Sequence, residues 1–183
     1  MPIVLKKEEG TGLKEEYTMW KELTTCGISI QIINFHHQFE KDIQEIYNYQ
    51  IGYCLRIGLV SDTAFVNSIN QFNNDKGIIG IHKSLSENFK NLEKEKEKIK
   101  SGLKHLRFHF PKGKIPEHIV FMNSLFNSNA FSTEKEIGIG LERYLGYDNE
   151  MVQKLPSEPF YDWIKKAMDV TYLERDALCS WII

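Results

Sequence analysis

Several features that would assign a protein class at once are missing from this 183-residue sequence. It has no run approaching the roughly 18 apolar residues that a membrane-spanning helix needs, so we expect no transmembrane segment. It has neither a P-loop nor the GxSxG elbow of serine hydrolases, and we expect no cofactor and no catalytic residue. The net charge of −2 argues against a nucleic-acid-binding protein that works by charge.

Cysteine is also scarce. The chain has Cys26, Cys54 and Cys179, an odd number that cannot pair completely, and their spacing matches no metal-binding pattern. We therefore expect reduced or buried thiols. Hydrophobic residues make up 42% of the chain, which is enough for a sizeable core without disulfide bonds.

The beginning of the chain differs in character from the rest. Residues 1–27 are polar and rich in lysine and glutamate, which predicts a loose leader, and residues 28–183 predict a single α+β domain. The leader has no apolar region of the kind that a secretory signal contains. As written, the chain alone therefore predicts a cytoplasmic or undetermined location.

Helical spacing of apolar residues predicts that the first two-thirds of the domain are mainly helical. We expect a helix over 35–48, a second helix with Ser61 as its N-cap, and a long third helix from about Asp75 to Pro111. The alternating Glu–Lys run 93–98 lies in the third helix, where it predicts a solvent-exposed face.

Three β-rich runs predict a small sheet, at 28–33, 118–122 and 136–141. The residues between the last two runs are rich in Asn and Ser, which favour turns, so we expect neighbouring strands joined by a long exposed loop.

Two further helices are predicted to close the chain. The first spans about 157–168 and is expected to turn Trp163 inward, and the second begins near residue 172. The apolar end of the second helix indicates either a buried last turn or a chain that is truncated at its C-terminus.

Histidine pairs raise the question of a metal site. The adjacent His36 and His37 point to different sides of a helix and cannot bind one ion together. His105 and His109 have the i, i+4 spacing of a two-histidine clamp, but Leu106 stands where a zinc peptidase would carry its glutamate base. We therefore expect no metal site.

Gly138 and Gly140 alternate within the last predicted strand and leave one of its faces without side chains. This pattern predicts close approach by a neighbouring helix or loop. A peptide bound along the strand edge is the alternative.

Longer blocks of the sequence resemble the family of the gliding-motility lipoprotein GldB. The likeness is carried by the block 106–111, the strand 118–122 and the block 137–146, and it extends over about 28–183. The candidate motif residues are Pro111, Gly138, Gly140, Leu141, Glu142, Tyr144, Leu145 and Gly146.

The resemblance implies both a fold and a function. The implied fold is mostly helical with a small sheet, similar to a degenerate zinc-metallopeptidase-like fold that is truncated at its C-terminus. The implied function is that of a non-catalytic component of the gliding-motility apparatus, and a zinc-metallopeptidase-like hydrolase is the alternative. The implied partners are other envelope or gliding-machinery proteins, with no nucleic acid.

The resemblance also bears on location, because the family implies a membrane-anchored, periplasm-facing lipoprotein of the cell envelope. Cys26 lies in a segment faintly similar to a lipobox, but Thr24 and Thr25 stand where small residues are expected. The resemblance therefore does not extend to a matching lipidation motif around Cys26.

Overall fold

The computed structural model of the chain describes residues 15–18 and 41–182. Its strands are β1 (Glu15–Thr18), β2 (His118–Met122), β3 (Ala130–Ser132) and β4 (Glu136–Gly140). Its α-helices are α1 (Gln44–Asn48), α2 (Phe65–Asn74), α3 (Lys76–Asn88), α4 (Glu93–His109), α5 (Glu150–Gln153), α6 (Asp162–Lys166) and α7 (Leu173–Ile182). Short π- or 3-10-helical segments are Tyr49–Cys54, Leu141–Tyr144 and Val170–Tyr172. Over the described ranges, no helix has both the length and the apolar character required to cross a bilayer.

The sheet of the described residues has the strand order β1-β2-β4-β3. Strands β1, β2 and β4 are parallel, and β3 is antiparallel to β4. The predicted strands 118–122 and 136–141 are therefore confirmed as neighbours, and the α+β class with a small sheet is confirmed as well. The predicted strand 28–33 lies outside the described residues. Part of the predicted loose leader 1–27 is instead a strand, β1, which supplies hydrogen-bond partners to the outer edge of β2.

Helices cover both faces of the sheet, and each face has its own hydrophobic core. Alternate residues of β2 and β4, such as Phe121 and Ile139, pack against α3, α4 and α7. On the opposite face, Val120 and Met122 pack against α1, the π-helical segment and α2. Gly102 on α4 has only a hydrogen where Leu178 of α7 approaches, so these two helices pack closely.

The predicted long helix from Asp75 to Pro111 is wrong in one respect, because it is two helices. Asp75 does cap the first, since its carboxylate accepts hydrogen bonds from the N–H groups of Gly77 and Ile78 at 2.8 and 3.1 Å. The first helix ends at Asn88, and Asn91 accepts from the N–H of Glu93 to open the second. The prediction fails because apolar spacing continues across the break.

Two other expectations for the helices need correction. Ser61 is not an N-cap, because α2 begins at Phe65 after Ala64 in the capping position. The charged run 93–98 is not wholly solvent-exposed, since Lys96 is buried and its ammonium lies 3.1 Å from the carboxylate of Glu93. A lysine can bury its aliphatic stem while its charged end keeps a partner. Of the predicted helix 35–48, residues 35–40 lie outside the described part of the chain.

The connection between β2 and β4 is not the exposed loop that its composition predicts. It contains β3, and its first two residues, Asn123 and Ser124, are completely buried. Asn and Ser do form turns here, but the turns fold inward around a buried side chain.

The closing helices are partly as predicted. The helix expected over 157–168 is shortened to α6, and Trp163 is 71% exposed rather than inward. Pro159 disfavours the helical conformation at the preceding residue, Glu158, so the helix begins only after this proline. The last helix, α7, is where the spacing predicts it, with Leu173 and Ala177 buried.

Candidate functional site

A buried carboxylate organises the end of the sheet where the parallel strands β2 and β4 finish. Glu142 is completely buried, and its Oε1 accepts hydrogen bonds from the N–H groups of Ser124 and Phe126 at 2.9 and 2.8 Å. The hydroxyl of Ser124 donates to the same oxygen and accepts from the N–H of Ser128 at 3.1 Å. The loop after β2 is thus wound around one carboxylate.

The backbone of this loop adopts an uncommon conformation that directs its N–H groups toward the carboxylate of Glu142. Leu125 and Phe126 have φ angles of 53° and 63°, in the left-handed region that side chains other than glycine seldom occupy. Consecutive residues of this kind turn backbone N–H groups toward one concave side, where they can bind an anion. The side chain of Asn123 holds the turn by accepting from the N–H of Leu125 at 2.9 Å.

The electrostatics of this centre are set by burial. Removal from water raises the pKa of Glu142, and its hydrogen bonds to Ser124 and Phe126 oppose that change. Its second oxygen, Oε2, is buried and has no hydrogen-bond partner among the residues that the structure describes. The neighbouring Arg143 is half-buried, lies over the ring of Phe160 and donates to the carbonyl of Phe126 at 3.4 Å.

A phenol and a thiol border the centre on the side of the π-helical segment. The hydroxyls of Tyr49 and Ser128 are 2.7 Å apart, and the ring of Tyr49 lies 4.5 Å from that of Phe131. Burial raises the pKa of Cys54 to about 11, so its sulfur is a protonated thiol at neutral pH. Such a thiol is a poor nucleophile and a poor metal ligand.

The glycines of β4 are closely covered, by a loop at Gly140 as predicted, and at Gly138 by a side chain of the neighbouring strand β3 rather than by a helix or loop. A Cβ at Gly138 would lie 2.5 Å from the ring of Phe131. A Cβ at Gly140 would lie 2.6 Å from Ser124 Oγ and closer still to the carbonyl oxygen of Ser128. Close packing of the loop and β3 over this strand therefore requires both glycines.

A second polar cluster links the motif to the last helix. Asp176 of α7 accepts from the hydroxyl of Tyr144 and from the side-chain amide of Asn129, each at 3.2 Å. Arg175 donates twice to the other oxygen of Asp176, at 2.7 and 2.9 Å. Burial and the nearby carboxylate both raise the pKa of Tyr144, which stays a neutral phenol.

The end of the motif lines an open cleft of about 200 Å³. Gly146 has a φ of 94°, and its N–H donates to the carbonyl of Met168 at 2.7 Å, while Leu145 is bridged to Asp169. The cleft lies between this turn and the junction of α3 and α4. It is lined by Asn88, Phe89, Asn91, Glu95, Tyr144, Leu145, Gly146, Asp169 and Val170.

The structure brings together most of the sequence-predicted motif residues but not all of them. Residues 138–146 form the covered strand, the buried centre and the cleft, and Leu141 lies in the adjacent core. Pro111 stands apart in an exposed turn after α4.

Neither histidine pair considered from the sequence is part of the site described here. His105 and His109 are exposed near the end of α4. His36 and His37 lie outside the described residues. Over residues 15–18 and 41–182, no three His, Cys, Asp or Glu side chains converge as a metal-binding group.

The sequence analysis missed Ser124, Asn123 and Ser128 as parts of this site. Their composition indicated a turn correctly, but it carried no sign that the turn faces inward. One signal in the sequence could have indicated this site: a glutamate that comes soon after a strand with alternating glycines. Such a strand leaves room for a loop to reach the glutamate.

Fold and site define an α+β domain with helices on both faces of a small sheet and a loop folded around a buried glutamate. The chain matches the family described as gliding motility protein GldB over residues 18–183, and it belongs to that family. No curated protein and no solved structure matches the chain. The chain is thus a gliding-motility-associated protein of the GldB-like lipoprotein family.

Proposed function

We propose that the chain is a non-catalytic component of the gliding-motility apparatus at the cell envelope, and that it acts by binding another protein through the cleft at Tyr144–Gly146. The observation that supports the proposal is that the motif residues fall into two groups, one enclosed and one at an open cleft. Glu142 and the two glycines are enclosed and organise the fold, whereas Leu145 and Gly146 border an open cleft.

The size and lining of the cleft suit a protein side chain. At about 200 Å³, it is smaller than the roughly 300–1,000 Å³ of typical small-molecule sites. Val170 lines it and is 37% exposed, so its apolar side chain is available for contact with a partner.

The enclosed groups also support a non-catalytic role. Ser124 and Glu142 form the closest hydroxyl–carboxylate pair of the site, but both side chains are completely buried and lie under the loop. A catalytic group must reach its substrate. The hydrolase alternative would instead have to use groups such as His105 and His109, which are exposed on α4, away from this centre.

A crosslinking experiment tests the contact. A photo-crosslinking amino acid is placed at position 170 in the organism that encodes the chain, with position 67 on α2 as the matched exposed control. We expect a covalent adduct to a discrete second protein from position 170 and none from position 67.

A loss-of-function comparison completes the test. Val170→Lys should abolish colony spreading while the unfolding midpoint stays unchanged, and Asn67→Lys should leave spreading intact. Normal spreading by Val170→Lys would contradict the proposal. Stoichiometric zinc in the purified chain, lost in the His105→Ala/His109→Ala variant, would favour the hydrolase alternative.

A further inference from the structure

The last turn of α4 carries the most exposed aromatic side chain of the described residues, Phe108, which is 79% exposed. Phe110 is 62% exposed, and every residue from 108 to 114 is exposed. We call residues 104–114 the aromatic–basic tip. Because residues 108–114 are all exposed, this part of the tip projects from the surface and does not line a groove.

The tip is strongly basic. It contains Lys104, Arg107, Lys112 and Lys114 together with two histidines, and the sequence has no Asp or Glu from 98 to 116. An acidic residue from outside this stretch pairs with the tip, because the carboxylate of Glu134 lies 3.3 Å from the ammonium of Lys114.

The shape of the tip is fixed by hydrogen bonds. Arg107 donates to the carbonyls of Pro111 and Gly113, both at 3.2 Å, and so closes the turn on itself. The indole N–H of Trp181 donates to the carbonyl of Lys114 at 3.0 Å and ties the turn to α7. The two phenylalanines are therefore held outward by a defined turn.

We propose that the aromatic–basic tip binds the surface of an anionic lipid bilayer, with Phe108 and Phe110 inserted among the headgroups and Lys104 and Lys112 on lipid phosphates. Aromatic side chains are favoured at the boundary between headgroups and acyl chains, and basic side chains near it are attracted to anionic lipids. A projecting tip needs no matching groove on its target, which favours a lipid surface over a folded protein. This inference does not depend on the protein contact proposed above.

Co-sedimentation of the purified chain with vesicles tests the inference. Vesicles of equal parts phosphatidylglycerol and phosphatidylcholine should bind the chain, and vesicles of phosphatidylcholine alone should bind it at least about tenfold more weakly. Added salt should weaken binding to the anionic vesicles, because the attraction is partly electrostatic.

Two variants and a matched control locate the binding surface. Lys104→Gln/Lys112→Gln should weaken binding by about tenfold or more, and Phe108→Ser/Phe110→Ser should weaken it to a similar degree. Lys90→Gln/Lys94→Gln changes the net charge by the same amount at exposed positions around the start of α4, far from the tip along this helix, and should leave binding nearly unchanged.

The outcomes separate lipid from protein recognition. Equal binding by the tip variants and the control variant, in proteins with unchanged unfolding midpoints, would overturn the proposal. Tip-dependent binding to soluble polyglutamate without binding to anionic vesicles would also overturn it, because the tip would then recognise an acidic protein segment.

Discussion

The two ends of strand β4 each hold a buried carboxylate, and they use it differently. At the first residue of the strand, Glu136 accepts from the N–H of Ile46 at 3.0 Å and from the hydroxyl of Thr133 at 3.3 Å. It thereby joins α1 to the sheet. Just beyond the last residue of the strand, Glu142 accepts hydrogen bonds from the loop that follows β2, and this loop folds around its carboxylate.

The comparison shows how the same residue type can join two elements or organise a single loop. Glu136 is 5% exposed and is bonded by groups on two separate segments. Glu142 is fully enclosed, and its three donors all come from one strained loop. We therefore expect the fold to depend more strongly on Glu142.

The largest expected effect comes from deleting these carboxylates. Glu142→Ala should lower the free energy of unfolding by about 4 kcal/mol, because it leaves a cavity and two buried N–H groups without an acceptor. Glu136→Ala removes fewer buried hydrogen bonds and should cost about 2 kcal/mol. Urea denaturation measures both, and equal losses would remove the distinction between the two ends.

Adding one methyl group to the strand should have the next largest effect. Gly140→Ala forces a Cβ against the carbonyl of Ser128, a backbone group that cannot rotate away, and should cost about 3 kcal/mol. Gly138→Ala meets only the ring of Phe131, which can shift, and should cost about 1 kcal/mol. Gly52→Ala is the control, since a Cβ there meets nothing within 4 Å. A larger loss for Gly138→Ala than for Gly140→Ala would contradict the packing described here.

The pH dependence of stability should reveal the charge of the enclosed carboxylate. Burial raises the pKa of Glu142 above its usual 4.5, so the folded state holds this proton more tightly than the unfolded state does. The stabilisation that comes from this more tightly held proton is therefore present below pH 4.5. It is lost as the pH rises through the raised pKa that Glu142 has in the folded state.

Replacement of the carboxylate isolates that contribution. Glu142→Gln keeps the shape and one acceptor oxygen, so its free energy of unfolding should fall less steeply than that of the wild type as the pH rises above 4.5. Urea midpoints across this range measure the effect, and Glu158→Gln, which makes the same change at an exposed position, is the matched control. Parallel curves for the wild type and Glu142→Gln would show that Glu142 has the same pKa in both states.

Much of the fold could be predicted because local patterns agree with the final packing. The β-rich runs at 118–122 and 136–141 gave the strands, and the covered glycines followed from their alternation. The start of a helix near Asp75 was also visible, although the capping role of Asp75 was not predicted. Each of these features depends on contacts between residues that are close in sequence or on a simple repeat.

Other features could not be predicted because they depend on distant residues. Strand β1 has a polar sequence, and it is a strand through its pairing with β2. The bonds from Ser124 and Phe126 to Glu142 span 18 and 16 residues and leave no characteristic spacing. Turn composition likewise cannot show whether a turn faces solvent or the core, and this is why the loop after β2 was expected to be exposed.

The smallest expected effect is on the reactivity of a thiol, which reports on the packing at the Glu142 end of β4. Cys54 is buried beside this end, and its pKa of about 11 makes it a poor nucleophile, whereas Cys179 is exposed. In a Cys26→Ser background, iodoacetamide should therefore modify Cys54 about a hundredfold more slowly than Cys179. Added to that background, Gly140→Ala should accelerate the modification of Cys54, because it opens the loop that covers this end, while Glu136→Ala should leave the rate nearly unchanged. Mass spectrometry of the labelled peptides distinguishes the two cysteines, and equal acceleration by both variants would mean that the two ends of β4 open together.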